Sequence, residues 1–148
     1  LDALHILAGL DPAHGGPSRT VPALAAAQLE AGARVQLAVV GPVPPALAAA
    51  HPRLPVRAFP ARPGPLGARL ACAVGLEDFL LRTPARAFHA HGLWQRPLHY
   101  AARAAARHRA PLVLAPRGML EPWALAHHAW KKRLAAAFVH PGALAAVS

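Results

Sequence analysis

Hydrophobic positions along the chain alternate between short continuous runs and longer periodic stretches. Leu4 to Leu10 is a short apolar run that ends in "DPAHGGPSRT", rich in turn formers, and it predicts a buried strand feeding a loop. "TVPALAAAQLEAG" then sets Val21, Leu24, Ala25, Gln28 and Leu29 on one face, the stripe of a helix packed on a sheet. Thr20 stands where it can cap that helix, Pro22 falls in its first turn and Gly32 suits its C-terminal end. "RVQLAVVG" from Arg34 to Gly41 and "PVRAFP" around Val56 to Phe59 are the second and third strands. The proline-broken "PVPPALAAAHPRLP" between them leaves room for at most a short helix. A helix is predicted from roughly Leu66 to Arg82, with Gly75 in its interior. "ARAFHAH" is a fourth strand, "PLHYAARAAARHR" a helix and "PLVLAP" a fifth strand. "EPWALAHHAWKKRLAAAFV" is helical in one or two pieces, and "ALAAVS" begins a sixth strand.

Strands alternating with helices imply right-handed crossovers and a parallel sheet covered on both faces. The expected class is α/β, a Rossmann-like doubly wound parallel sheet, built as a single domain over residues 1–148 with no internal repeat. In such sheets ligands sit outside the carboxyl ends of the strands. The unusual segments follow three strands there: "DPAHGG" after the first, "HGLWQRP" after the fourth and "PRGMLEPW" after the fifth.

Composition sharpens this picture in two ways. Hydrophobic residues make up 55% of the chain, yet aromatics only 5%, so the core is expected to be alanine, leucine and valine with few large anchors. Sixteen Lys and Arg against six Asp and Glu give a net charge of +10, which favours polyanionic partners: nucleic acid, phosphorylated substrates or an anionic membrane surface. The single cysteine, Cys72, leaves no intramolecular disulfide and no zinc framework, in keeping with a reducing cytoplasm. No apolar run reaches transmembrane length, and "LDALHILAGLDPAHGG" lacks the basic start and cleavage-type ending of a signal peptide. The chain begins without Met and stops at "ALAAVS", so a fragment of a longer protein is expected.

"HGGPSRT" precedes a helix, where backbone N–H groups and the helix dipole can hold an anion; a plain strand-to-helix turn accounts for it equally well. It is neither a dinucleotide fingerprint nor a Walker loop, since the third glycine and the Gly-Lys-Ser/Thr are missing. His89 and His91 alternate along a strand and so project to the same face. A metal would need further ligands, and no spacing pattern recruits His127, His128, Asp11 or Glu121, so no metal is expected. His89 is expected in the packed polar interior, and His91, at the strand tip, at the site. Arg117, followed by Gly118, carries the paired donors that suit a phosphate or carboxylate, or else it satisfies nearby carbonyls on the surface. Trp94, Trp123 and Trp130 either cover the core edge or offer a sugar platform, and Lys131, Lys132 and Arg133 form a solvated face or hold an anionic acceptor.

Taken together, "LHILAGLDPAHGGPSRTVPALAAAQLEAGARVQLAV", "HAHGLWQRPLHYAARAAARHRAPLVLAPRGMLEPWAL" and "WKKRLAAAFV" resemble the N-terminal, acceptor-side domain of family 4 glycosyltransferases. The nearest subgroup is that of bacterial exopolysaccharide and O-antigen assembly. The resemblance implies one half of a GT-B fold, in which two Rossmann-like domains face each other across a cleft and the C-terminal one holds most of a nucleotide-sugar donor. It implies transfer to a glycan or lipid-linked acceptor without metal, usually with retention, and the basic surface fits a cytoplasmic place in peripheral contact with an anionic membrane. Carried over by position, Gly15 and Gly16 would lie near the donor diphosphate, and His91 would contact the transferred sugar as the catalytic-site histidine. Arg117 and Gly118 would line the donor phosphate and sugar cleft, with Trp94, Glu121, Trp123, Lys131 and Lys132 on the acceptor side. The donor domain normally adds an Arg/Lys pair and two glutamates eight positions apart. Glu30, Glu77, Asp78 and Glu121 lack that spacing, so a donor-binding domain absent from this chain is expected, and the chain alone is expected to be inactive. Two rival readings are a stand-alone acceptor-binding half working with a separate donor subunit, and a basic nucleic-acid-binding domain. No recognition helix and no aromatic-plus-basic sheet motif supports the latter, so no nucleic-acid partner is expected.

Overall fold

The computed structural model describes residues 1–12 and 15–122. Along them run β1 (Ala3–Leu7), α1 (Pro17–Glu30), β2 (Val35–Val40), α2 (Pro45–Ala50), β3 (Val56–Phe59), α3 (Pro65–Arg69), α4 (Leu76–Arg82), β4 (Phe88–His91), α5 (Arg96–His108) and β5 (Leu112–Ala115). The expected C-terminal helix and sixth strand, with Trp123, Lys131 and Lys132, lie outside the described residues.

The five strands form one parallel sheet in the order β3-β2-β1-β4-β5. Its two faces bury different helices. Leu7, Val35, Leu37 and Val39 pack with Val21 and Ala25 of α1. Leu4, Ile6, Ala38, Val40, Phe88 and Ala90 pack with Leu76 and Leu80 of α4 and with Leu98, Ala101 and Ala104 of α5. The class is therefore α/β and Rossmann-like, as the alternation of runs implies. Alanines on α5 leave little side chain between that helix and the sheet. Arg103 bonded to Glu77, and Arg107 Nε donating to the Leu81 carbonyl at 3.0 Å, tie α5 to α4.

Local expectations are corrected in three places, at α1, at the first strand and over Leu66–Arg82. Helix α1 starts at Pro17, not after Thr20: Gly15 turns the chain at φ 82°, Gly16 is the N-cap, and Thr20 bonds back to the Gly16 carbonyl at 3.1 Å. Pro22 consequently sits inside the helix, and Leu24 is exposed instead of facing the sheet. The first strand ends at Leu7, where its pairing with Val39 and His91 ends, although Leu10 beyond it stays buried. The helix expected over Leu66–Arg82 is two helices. Between them the chain makes an antiparallel bridge, Ala61 to Ala73, with the Arg62 N–H donating to the Cys72 carbonyl at 2.7 Å. Gly75 takes φ 78° and caps α4 rather than interrupting a longer helix.

Candidate functional site

The site is built on the sheet face that α1 covers. In the β1–β4 register His5 lies opposite His89 and Leu7 opposite His91, so the period of two along each strand sends all three imidazoles to one side. His5 is fully buried and His91 is 5% exposed. His89 is the more open of the strand's pair, the reverse of the expected division between them. The His89 and His91 rings lie 4.0 Å apart between centroids, and those of His5 and His91 stack at 5.4 Å.

Hydrogen bonds continue from these rings in both directions. His5 Nε2 lies 2.7 Å from Oε1 of Gln28 on α1, and His5 Nδ1 lies 3.1 Å from His91 Nε2. His91 Nδ1 lies 3.0 Å from Nη2 of Arg117, in the loop after β5. Burial holds all three histidines neutral. It is the main cause of the lowered pKa of His5, of the fall to about 4 at His89 and of the fall to about 2 at His91. The Arg117 guanidinium pushes each of them further in the same direction.

The loops after β4 and β5 are fastened to each other. The Gly92 N–H donates to the Ala115 carbonyl at 2.9 Å, and the Leu93 N–H donates to Sδ of Met119 at 3.0 Å. Within them Trp94 and Arg117 adopt the left-handed region, with φ 64° and 53°. Non-glycine residues are rarely held there except where surrounding structure over-determines them, as at functional sites. Trp94 Nε1 and Arg117 Nε are buried N–H groups with no acceptor among the described residues.

Of the residues singled out in the sequence, His91 and Arg117 are brought into direct contact. Gly118 is exposed beside Arg117 at φ 76°, and Glu121 is exposed with its N–H on the Gly118 carbonyl. Trp94 packs against the core on the α4–α5 side of the sheet. Gly15 and Gly16 stand exposed where β1 passes into α1, and a Cβ on either would meet nothing within 4 Å. Few amide donors are left there: Pro17 has none, Ser18 bonds Gly15, and Arg19 and Thr20 bond Gly16. Trp123, Lys131 and Lys132 lie outside the described residues.

Sequence reasoning missed His5, Gln28 and Met119. The signals were present: a histidine inside the apolar run "LHIL", and a glutamine on the apolar stripe of α1. Each is a polar group where burial demands a partner.

Among the described residues, His5, His89 and His91 are also the group that could hold a metal, since they offer ligand atoms that all lie within 4.8 Å of one another. Arg117 opposes it. A metal on Nε2 of His91 would leave the proton on Nδ1, facing the guanidinium donor, so the ion could enter only by displacing Arg117.

Residues 15–146 match the family model described as the Glycosyl transferase 4-like domain. The chain belongs to that family. No curated protein matches it significantly. The match covers α1 with Gln28, both rim loops, His91 and Arg117, while His5 precedes the matched residues. The site thus sits in a glycosyltransferase domain, at the carboxyl end of its sheet.

Proposed function

We propose that this transferase domain is the acceptor-side half of a two-domain GT-B enzyme that moves a sugar from a nucleotide-sugar donor to a glycan or lipid-linked acceptor. The setting is bacterial surface polysaccharide assembly at the cytoplasmic face of the membrane. The contact that carries this reading is His91 to Arg117, because it joins the carboxyl end of β4 to the loop after β5, where a parallel sheet receives its ligands. Arg117, with donors to spare, faces the departing nucleoside diphosphate and stabilises the charge that develops on it. His91 then meets the transferred sugar through a ring nitrogen. It does not serve as a general base, since its buried ring gains a proton only at low pH. Gly15 and Gly16 let the diphosphate approach the backbone, and Trp94, Glu121, Trp123, Lys131 and Lys132 belong to the acceptor side.

The chemistry is metal-independent and retaining, and the excess positive charge holds the protein against anionic lipid. In the protein as the cell makes it, Arg117→Ala and His91→Ala should each lower transfer from its nucleotide sugar about a hundredfold. Near-normal transfer by both variants would overturn the assignment, and loss of activity in EDTA would overturn metal independence. Membrane contact is checked by sedimentation with phosphatidylglycerol vesicles, where binding should weaken as salt rises.

A further inference from the structure

The chain Gln28–His5–His91–Arg117 has one feature that its distances alone do not state: only one arrangement of protons satisfies it. Arg117 is a donor and never an acceptor. Nδ1 of His91, 3.0 Å from its Nη2, must therefore be unprotonated, and the ring, being neutral, carries its proton on Nε2. That N–H donates across 3.1 Å to Nδ1 of His5. His5 is then left with its proton on Nε2, which donates to the Gln28 oxygen at 2.7 Å. The guanidinium at one end and the Gln28 oxygen at the other impose the same polarity on the two imidazoles.

We propose that His5 and Gln28 are positioning residues that hold His91 in the Nε2–H tautomer, so that the nitrogen it presents at the rim is an acceptor. The ligand it selects is then a hydroxyl of the donor sugar that can donate a hydrogen bond once Arg117 turns to the diphosphate. This rests on the transferase reading above. The geometry supports it at each step. Gln28 is near the C-terminal end of α1, His5 in mid-strand, His91 at the end of β4 and Arg117 in the loop beyond β5, so the chain runs from beneath the helix to the open rim. His5 has no exposed surface and no other polar partner among the described residues than Gln28 and His91. A sugar lacking the matching hydroxyl would leave the His91 acceptor unpaired in a buried site, a loss that discriminates strongly between substrates.

The test begins with the ring nitrogens, because they can be read without any turnover. In uniformly nitrogen-15-labelled protein near neutral pH, both His5 and His91 should show a protonated Nε2 and an unprotonated Nδ1. A protonated Nδ1 on His91 overturns the proposal. Gln28→Leu is the decisive variant. It removes the acceptor from Nε2 of His5, so that ring is free to carry its proton on Nδ1, and a mixture of tautomers should replace the single one, which a merely structural glutamine would not cause. Transfer should fall about tenfold to a hundredfold while the circular dichroism of the folded protein is kept. Gln28→Glu, whose carboxylate still accepts from His5 Nε2–H, should keep both tautomers. Unchanged tautomers combined with normal transfer in Gln28→Leu overturn the positioning role. If the unaltered protein transfers no sugar at all, the transferase reading fails, while the nitrogen shifts still decide the proton arrangement.

Discussion

At the scale of single residues, burial of imidazole is the main energetic commitment of this site. The folded-state pKa values of His5, His89 and His91 all lie below the ordinary 6.5. As pH falls through that value the unfolded chain takes up protons and the folded one does not. The stability these groups confer is therefore complete above about pH 6.5 and is lost progressively toward the folded values. His91 alone should remove about 2 kcal/mol between pH 6.5 and about pH 5. Urea titrations across that range should show the fall, and His91→Gln, which keeps a polar side chain that does not titrate, should flatten it. An unaltered slope in the variant would assign the effect elsewhere. Met119 offers a second residue-scale check. Its sulfur accepts the N–H of Leu93, and Leu93 is 2% exposed. Met119→Leu keeps the volume but leaves that amide unpaired, so a loss of about 1–2 kcal/mol is expected in thermal unfolding. No loss would mean that water replaces the sulfur.

At the scale of elements, strands were more legible than helices, and the reason is physical. Val35–Val40 is apolar but for Gln36 because both faces of this inner parallel strand are covered, whereas the edge strand Val56–Phe59, with Arg57 in it, is marked by the prolines on either side; the limits of both follow the sequence pattern closely. Leu66–Arg82 reads as one helix because alanine and leucine recur through it, yet α3 buries none of its residues and only α4 packs on the sheet. The break comes from a bridge to Ala61, a long-range pairing that no local period reveals. The same blindness hid His5 and Gln28: each could be flagged as polar in an apolar stripe, but that they meet depends on α1 lying over β1. The end of α1, by contrast, was fully legible. Gly32 takes φ 90°, its N–H donates to the Leu29 carbonyl, and the Ala33 N–H donates to that of Gln28. Because a Cβ there would meet nothing within 4 Å, Gly32→Ala probes backbone strain alone. It should cost about 1 kcal/mol in chemical denaturation, and a neutral result would show that the turn relaxes.

At the scale of the whole molecule, acidic groups are few and three of them are tied to arginines. Asp2 pairs with Arg34 and Arg86, ahead of β2 and β4, while Glu77 pairs with Arg103 and Asp78 with Arg82 on the α4–α5 side of the sheet. Glu30 closes α1 at the opposite edge of the sheet, since that helix runs back from the carboxyl rim. Asp11 and Glu121 bring acid toward the rim in different loops, and Glu77 acts on His99 at the start of α5. A nucleotide sugar needs more than this rim offers. Arg117 can meet the diphosphate from one side, but a departing charge held from one side stays largely in water, where such contacts are worth least. In the proposed two-domain enzyme the opposing domain closes the cleft and supplies the remaining donor contacts. The polypeptide of residues 1–148 should accordingly fold, with the His5–His91 tautomers intact, and yet transfer no sugar above background. Measured beside the protein as the cell makes it, with the same donor and acceptor, it separates two designs. Silence from the short chain with turnover by the long one places the missing contacts outside this domain. Turnover by the short chain would mean that this rim holds the whole donor, and the two-domain proposal would have to be abandoned.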